Sequence, residues 1–515
     1  MVMTNTTVPV GVGALTFDQV VAVARHNAPI TLTDESLTAM ATSRELIESL
    51  AHDTRPHYGI STGFGALANT SIPPEHRAQL QASLVRSHAA SSGAEIEKEV
   101  VRGLMLLRLS TLATGRTGVR PEVAQTYAAL LNAQITPVIG EYGSLGCSGD
   151  LAPLAHCALA AMGEGEVRDA GGDLVPAADA LAAAGITPVR LREKEGLALI
   201  NGTDGMLAML ILALADLDEL VATADIAGAL SIEGLQGTDS VFASDLQELR
   251  PHAGQATSAA NIRAVLAGSG IVADHRGTGF TRVQDAYSLR CAPQVHGAVR
   301  DTMAHAARVA EVELASAVDN PVVTLDGRVE SNGNFHGAPI GYVLDFLAIA
   351  TADLASISER RTDRFLDKSR NHGLPPFLAH DPGVDSGHMI AQYTQAGIVS
   401  DLKRLAVPAS VDSIPTSAMQ EDHVSMGWNA ARKLRRAIFG ARQVVAIEIL
   451  TAARAIDMRA PERPGAVGAA LVAQVRELVP PPGPDRFLAP DIRAVVDLVA
   501  TGALLDKART LADIR

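Results

Sequence analysis

Residues 143–154 contain the triplet Cys147-Ser148-Gly149, whose residue types can build an electrophile from the chain itself. A simpler interpretation is a glycine-rich turn that leads into a helix, with Asp150 as the N-cap and Pro153 in the first turn. The same residues allow another chemistry, because the nitrogen of Gly149 can close onto the carbonyl carbon of Cys147. The product is a five-membered imidazolone, and glycine suits the closure since it adopts backbone angles that other residues avoid. One water leaves in the closure, and loss of the Ser148 hydroxyl as a second water leaves an exocyclic methylidene, a strong electrophile.

Further polar and aromatic residues that can act on a substrate lie in six short segments. Each has an ordinary explanation when taken singly: Tyr58 as a packed aromatic, Arg290 as an ion-paired surface residue, and His88 as a helix histidine. The six segments are 58–65 with Tyr58, 83–88 with His88, 195–203 with Asn201, 283–291 with Gln284, Tyr287 and Arg290, 332–337 with Phe335, and 419–423 with Glu421.

Taken together and in order, the triplet and these segments resemble the motifs of the aromatic amino acid ammonia-lyase family. The resemblance extends from about Leu15 to about Met458, and so many ordered matches make coincidence implausible. Members carry a 4-methylidene-imidazol-5-one group (MIO), formed autocatalytically from the cyclising triplet. That triplet is usually Ala-Ser-Gly, so Cys147 is a departure. We expect the departure to be harmless, because the first residue lends only its carbonyl carbon to the ring.

The resemblance implies how such a site eliminates ammonia from an α-amino acid. The methylidene carbon bonds the substrate amine or, in a rival mechanism, the substrate ring. Tyr58 is expected to remove the β-proton, which requires positive charge or helix N-termini nearby, because an unperturbed phenol has a pKa near about 10.

The resemblance also implies the residues that bind the substrate. Arg290 is expected to hold the substrate carboxylate through a two-pronged, charge-assisted hydrogen bond that a lysine does not reproduce. Asn201, Gln284 and Tyr287 are expected to donate hydrogen bonds to the MIO oxygen or the substrate as charge develops. Phe335 belongs to a further active-site loop.

His88 and Glu421 are the residues expected to select the substrate. Phenylalanine- and tyrosine-acting relatives generally have glutamine in place of Glu421. A carboxylate that faces a phenyl ring loses water contacts without compensation, whereas one that faces an imidazole gains a charge-assisted hydrogen bond. The sequence therefore favours non-oxidative deamination of L-histidine to trans-urocanate and ammonia, the first step of histidine degradation. A phenylalanine or tyrosine lyase, an aminomutase, and a non-catalytic helical assembly protein are the alternatives.

The elements that position these residues are predicted to be helices. Ala- and Leu-rich stretches with few β-branched runs fill most of the 515 residues, and long helices are predicted over 295–318 and 426–458. A hairpin is predicted around Gly171-Gly172. The family resemblance implies an all-α, fumarase/aspartase-like fold and a homotetramer with shared active sites. We expect an N-terminal domain over 1–200 that carries the triplet and a helical bundle over 201–515.

Composition excludes several other classes of protein. A net charge of −14 and only 3% aromatic residues argue against a nucleic-acid partner. Three cysteines without a Cys-x-x-Cys unit favour a reducing compartment, and no secretory signal or membrane span is expected, since the apolar run 206–215 is short. The chain is therefore predicted to be cytoplasmic.

Neither of two sequence patterns that are typical of cofactor or metal binding indicates such a site in this chain. Residues 268–273 match a G-x-G-x-x-A dinucleotide pattern, but they follow a predicted helix and not a strand. No H-E-x-x-H pair is present, and no metal site is expected.

Overall fold

A computed structural model describes residues 6–53, 55–65, 70–274 and 283–515 of the chain, and it is dominated by helices, as predicted. The helices up to the middle of the chain are α1 (Phe17–His26), α2 (Asp34–Ala51), α3 (Arg77–His88), α4 (Lys98–Ala113), α5 (Pro121–Asn132), α6 (Leu151–Ala161), α7 (Ala177–Ala183), α8 (Glu195–Ile200), α9 (Asp204–Gly234), α10 (Ser244–Glu248) and α11 (Ala253–Leu266). The later helices are α12 (Gly270–Asp274), α13 (Tyr287–Arg290), α14 (Ala292–Leu314), α15 (Ala338–Leu366), α16 (Met389–Leu405), α17 (Gly427–Asp457), α18 (Ala466–Leu478), α19 (Ala489–Ala500) and α20 (Ala503–Arg509).

The strands are two to four residues long and form small local sheets. They are β1 (Val8–Val10), β2 (Ile30–Leu32), β3 (Ser92–Glu95), β4 (Thr136–Pro137), β5 (Gly140–Tyr142), β6 (Glu166–Arg168), β7 (Leu174–Pro176), β8 (Val322–Val323) and β9 (Val329–Glu330). Strands β1 and β2 pair in parallel, while β3–β5, β4–β6–β7 and β8–β9 are antiparallel. The β6–β7 pair is the hairpin predicted around Gly171-Gly172.

The chain divides into two compact units, each built from three separate segments. The first unit comprises 1–212, 306–345 and 408–432, and the second comprises 213–305, 346–407 and 433–515. The expected division into domains 1–200 and 201–515 stays a prediction.

In the first unit, helix α4 lies in the core. Every residue from Val100 to Ala113 is buried, so the helix has no solvent-facing stripe and packs against α1 and α5. Helix α1 begins with a capping box in which Thr16 and Gln19 exchange hydrogen bonds. Helices α3, α6 and α8 also pack against one another, and their ends bring His88, the triplet and Asn201 to the same part of the unit.

In the second unit, helices α11, α18, α19 and α20 pack together. A buried carboxylate, Glu448, is fully compensated there by the guanidinium of Arg361 and the hydroxyls of Ser231 and Ser358. Such compensation is required because an unpaired buried charge is costly. Helix α11 directly precedes the glycine pattern at 268–273, so the residues before that pattern are helical, as predicted.

The two long helices predicted from sequence are present, and the bounds of one of them differ from the prediction. Helix α17 matches the predicted 426–458 within one residue at each end. Helix α14 begins at Ala292, three residues before the predicted Val295, and ends at Leu314, four residues before the predicted Val318. Beyond this end, the Val318 carbonyl accepts a hydrogen bond from the buried Arg108 guanidinium at 3.0 Å, so the chain there is bound by helix α4.

The apolar run 206–215 proves to be part of a longer helical stretch. Asp216 does not end helix α9, because its carboxylate pairs with Arg442 at 2.8 Å, and Asp218 is exposed. By length and composition alone, Glu195–Gly234 and Ala338–Leu366 are long and apolar enough to cross a membrane. The apolar window of Glu195–Gly234 is completely buried, which is typical of a core helix in a folded protein.

Candidate active site

A cavity of about 960 Å³ in the first unit contains much of the predicted chemistry. Five of the residues predicted from sequence lie in its walls: Tyr58, Cys147, Ser148, Phe335 and Glu421. Segments that are far apart in the chain therefore meet at one site. Its volume is at the upper end of the range for small-molecule pockets.

The turn that carries the triplet requires glycine at its third position. Gly149 has a φ of +74°, and a Cβ there would lie 2.0 Å from the Gly202 carbonyl oxygen. The next peptide N–H, of Asp150, donates to that same oxygen at 2.7 Å. Any side chain at Gly149 would collide with the Gly202 carbonyl and disrupt this hydrogen bond. The tight turn therefore requires glycine at this position.

Asn201 connects the end of helix α8 to the middle of the triplet. Its amide nitrogen donates to the Ser148 carbonyl oxygen at 2.8 Å and to the Ser148 hydroxyl at 2.6 Å. The Asn201 carbonyl is in turn held by Arg108, whose guanidinium also forms a buried ion pair with Asp204 at 2.9 Å. The structure thus places Asn201 against the residue that would become the methylidene.

Asp150 has a different role from the one predicted. It occupies the N-cap position of α6, but its side chain makes no capping hydrogen bond there. The carboxylate instead accepts hydrogen bonds from the Ser144 hydroxyl and from the first-turn N–H groups of Gly205 and Met206. It therefore caps α9 and ties the triplet to that helix. Burial raises the pKa of Asp150 to about 7.

Cys147 and Glu421 are joined by a hydrogen bond in the wall of the cavity. The Cys147 thiol donates to Oε2 of Glu421 at 3.2 Å, and the Thr416 hydroxyl donates to the same oxygen at 2.9 Å. Burial, together with the neighbouring carboxylate, raises the pKa of the Cys147 thiol to about 12. The thiol therefore stays protonated at neutral pH.

His88 lies at the C-terminal end of α3. Its Nδ1 is 2.9 Å from the Leu84 carbonyl oxygen, a geometry in which Nδ1 carries the proton and Nε2 stays available. Burial lowers the pKa of His88, while the Glu421 carboxylate acts in the opposite direction. The two residues predicted to select the substrate are thus within electrostatic reach of each other.

Other walls of the cavity are aromatic. Tyr58 packs its ring edge-on to Phe64, with centroids 6.4 Å apart, and its hydroxyl oxygen accepts the Gly65 N–H at 3.2 Å. That hydrogen bond leaves the Tyr58 proton free to point elsewhere. Phe335 contributes a half-buried apolar surface to the same cavity.

Comparison with known proteins identifies this arrangement. The sequence profile described as aromatic amino acid lyase matches residues 15–477. The chain belongs to this family. The family resemblance expected from the sequence is thereby confirmed, and the chain is a carbon–nitrogen lyase.

Individual family members are similar over nearly their whole length. The chain is 64% identical to a histidine ammonia-lyase from Streptomyces avermitilis, over 98% of this chain and 99% of the relative. It is 48% identical to a histidine ammonia-lyase from Gloeobacter violaceus, over 96% of each. Among solved structures, tyrosine aminomutase from Streptomyces globisporus has a TM-score of 0.93 at 39% identity, covering 99% of this chain and 100% of its own. Histidine ammonia-lyase from Trypanosoma cruzi has a TM-score of 0.90 at 38% identity, covering 98% and 96%. These matches confirm the expected helical fold of the fumarase/aspartase type.

Three predicted residues lie in the second unit. Gln284 is exposed, and Tyr287 is 71% exposed. The Arg290 guanidinium stacks on the Tyr287 ring at 4.8 Å from its centroid. Among the residues that the structure describes, Arg290 Nε has no hydrogen-bond partner. The roles of these three residues in substrate binding stay predictions.

The cavity also contains residues that the sequence analysis did not single out. His336 and His423 stack in parallel with their centroids 5.6 Å apart, and the His336 ring contacts the His423 carbonyl. Both histidines belong to segments singled out from the sequence, 332–337 and 419–423. Their positions next to Phe335 and two residues after Glu421 could therefore have predicted that they line the site. Arg55 also lines the cavity, and no motif pointed to it.

The described residues fit the MIO group that the family uses. The turn excludes any Cβ at Gly149, so the third position of the triplet accepts only glycine, the residue type whose nitrogen closes the ring. Asn201 donates to both oxygens of Ser148, and its own Oδ1 is buried without a partner among the described residues. For metal ions, no group of three or more His, Cys, Asp or Glu side chains is suitably placed within the described ranges.

Proposed function

We propose that this chain catalyses the non-oxidative deamination of L-histidine to trans-urocanate and ammonia, the activity of a histidine ammonia-lyase. The observation that carries the proposal is the position of Glu421, a carboxylate in the wall of the cavity that also contains the triplet. Relatives named histidine ammonia-lyase, at 62–64% identity over nearly the full chain, support the same activity. The reaction begins histidine degradation.

The proposal includes formation of MIO from Cys147, Ser148 and Gly149. The Gly149 nitrogen bonds the Cys147 carbonyl carbon, the carbonyl oxygen leaves as water, and the Ser148 hydroxyl leaves as a second water. Asn201 supports the second dehydration, because it donates to the Ser148 carbonyl, which takes up negative charge when Ser148 loses its α-proton before its hydroxyl leaves. When formed, the group supplies an electrophilic carbon that makes the amine a better leaving group.

The residues around the triplet have separate proposed roles in proton removal and in binding of the substrate ring. Tyr58 is proposed as the base that removes the β-proton, since the residue lines the cavity and its hydroxyl proton is not donated to Gly65. Glu421 is proposed to accept a hydrogen bond from the imidazole ring, with His88 as a second polar partner of the ring. Phe335 covers the apolar part of the substrate.

Gln284, Tyr287 and Arg290 are proposed to bind the substrate carboxylate and the polar groups near it. The planar fork of Arg290 matches a carboxylate, and the Tyr287 ring holds the guanidinium by stacking. The exposure of Gln284 and Tyr287 within one chain supports a further proposal, that the enzyme is a homotetramer whose active sites combine residues from several subunits.

Exposed apolar side chains on the long helices also support an oligomer. Tyr342 in the first unit is 50% exposed, and Tyr393 and Phe439 in the second are 61% and 65% exposed. Large apolar side chains at a free surface are typical of protein interfaces. We further propose a cytoplasmic location, because all three cysteines are unpaired thiols, as is usual in reducing compartments.

The direct test is incubation of the purified chain with L-histidine, L-tyrosine or L-phenylalanine. Formation of trans-urocanate is followed by its near-ultraviolet absorbance, and β-amino acid products are sought by chromatography. We expect urocanate and ammonia from histidine in equal amounts. Preferential conversion of tyrosine or phenylalanine, or a β-amino acid as the main product, would contradict the proposal in favour of another lyase or an aminomutase.

A further inference from the structure

The carboxylate of Glu421 is held from one side only. Both hydrogen bonds that it accepts from described side chains fall on Oε2, from the Thr416 hydroxyl at 2.9 Å and the Cys147 thiol at 3.2 Å. The backbones of Glu421 and Thr416 also exchange two hydrogen bonds, at 3.0 and 3.3 Å. Among the described residues, Oε1 accepts none. Oε1 is therefore the oxygen left for a ligand in the cavity.

Cys147 is suited to a lasting role as the donor in this contact. The residue is 7% exposed and packs against Val424 and Met426. Its high pKa keeps the thiol in the protonated form that can donate. A thiol is a weak donor, but the short distance to a charged acceptor strengthens the hydrogen bond.

We infer that Cys147 is a positioning residue that orients Glu421 for recognition of the substrate ring. The inference rests on the proposed function, in which Glu421 accepts a hydrogen bond from imidazole. Ring closure of the triplet uses only the carbonyl carbon of Cys147, so the side chain remains available afterwards. With Oε2 occupied by two donors, the carboxylate keeps one rotamer, and Oε1 points to the substrate without a further loss of side-chain entropy on binding.

The main test compares Cys147→Ala with Cys147→Ser in the full-length enzyme. Alanine removes the donor, and we expect KM for histidine to rise about three- to tenfold while kcat changes less than about twofold. Serine restores a donor to Oε2, and KM should return to within about twofold of wild type. Intact mass gives the fraction of each variant that has lost two waters, and the rates are divided by that fraction.

Two further variants separate positioning from a general structural effect. In a Glu421→Ala background no side chain remains at this position for Cys147 to orient, so adding Cys147→Ala should change KM less than about twofold. Cys157→Ala is the matched control, because Cys157 is another fully buried thiol in the first unit, within helix α6. KM of this variant should stay at the wild-type value even where its melting temperature falls.

The possible failures are distinguishable. If the wild-type enzyme forms no urocanate, the proposed function fails and the inference fails with it. If the wild type converts histidine and Cys147→Ala keeps its KM within twofold, only the inference is overturned. A Cys147→Ala chain that never loses two waters would assign the thiol to maturation and would also overturn the positioning role.

Discussion

Two groups of predicted site residues differ in their burial and in the hydrogen bonds that they form within the single chain. Around the triplet, Ser148 is half-buried and Asn201 is buried, and short hydrogen bonds join the two residues. In the segment 283–291, Gln284 and Tyr287 are exposed and Arg290 has an unpartnered Nε among the described residues. The single chain thus joins Ser148 and Asn201 by itself, whereas Gln284 and Tyr287, two of the three residues proposed to bind the substrate carboxylate and the groups near it, remain exposed. This difference agrees with the proposal that other subunits complete the active sites.

The largest expected effect comes from removing the hydroxyl of the preorganised centre. Ser148→Ala cannot lose the second water, so the methylidene does not form. We expect the turnover of histidine to fall by about a thousandfold or more, because enzymes accelerate their reactions by about a millionfold or more and this variant lacks the electrophile. Intact mass should lack the loss of two waters, while circular dichroism should show unchanged helix content. An active enzyme with an unmodified Ser148 would contradict the whole mechanism.

The next effect tests Tyr58, the proposed base in the same cavity. Tyr58→Phe keeps the ring that packs on Phe64 but removes the hydroxyl, so kcat should fall by about 10²- to 10⁴-fold with a much smaller change in KM. Steady-state kinetics with histidine measures both constants. Ser61→Ala, which changes a neighbouring residue of the cavity wall, serves as the control. Turnover near the wild-type rate in Tyr58→Phe would remove Tyr58 from the mechanism.

The sequence was sufficient to predict the fold class and the residues that meet at the triplet. Apolar helices without a polar stripe predicted the buried bundle, and ordered motifs predicted that Tyr58, Ser148 and Glu421 share a site. These signals are local in the chain, since helix periodicity and short motifs can be read without knowing the distant contacts.

The contacts that the sequence did not predict are long-range. Asp150 has the residue type and position of an N-cap for α6, yet its carboxylate caps α9, because Gly205 and Met206 approach it from more than fifty residues away. The Cys147–Glu421 contact joins residues separated by 274 positions. The hydrogen bond from Arg108 to the Val318 carbonyl joins residues 210 positions apart, and no local pattern near Val318 contains that information.

A smaller effect is expected for Arg290, the residue proposed to bind the substrate carboxylate. Arg290→Lys keeps the charge but loses the planar fork and the stacking on Tyr287, so KM for histidine should rise about a hundredfold. Steady-state kinetics measures the change. Arg263→Lys is the matched control, because Arg263 belongs to helix α11 of the same unit and lies outside the segment 283–291. An unchanged KM in Arg290→Lys would remove this residue from carboxylate binding.

Mixing two inactive variants tests whether the triplet and Arg290 of one active site come from different subunits. Ser148→Ala and Arg290→Ala subunits are co-expressed in equal amounts. If each active site takes the triplet and the arginine from different subunits, about a quarter of the sites are intact in a random oligomer. Activity well above the sum of the two separate variants is therefore expected. Absence of any recovery would show that both residues come from one chain.

The last and smallest effect concerns the choice of substrate. Glu421→Gln keeps the size of the side chain and its possible contacts with Cys147 and Thr416, but it removes the charge that faces the ring. The imidazole then loses a charge-assisted hydrogen bond of about 1.5–3 kcal/mol, which corresponds to roughly ten- to a hundredfold in kcat/KM for histidine. The penalty against an apolar ring falls at the same time, although His88 remains as a polar neighbour. The measurement is kcat/KM for histidine, tyrosine and phenylalanine in the wild type and the variant. If kcat/KM for histidine stays within twofold of the wild-type value, Glu421 does not recognise the substrate ring, and other residues of the site select the substrate.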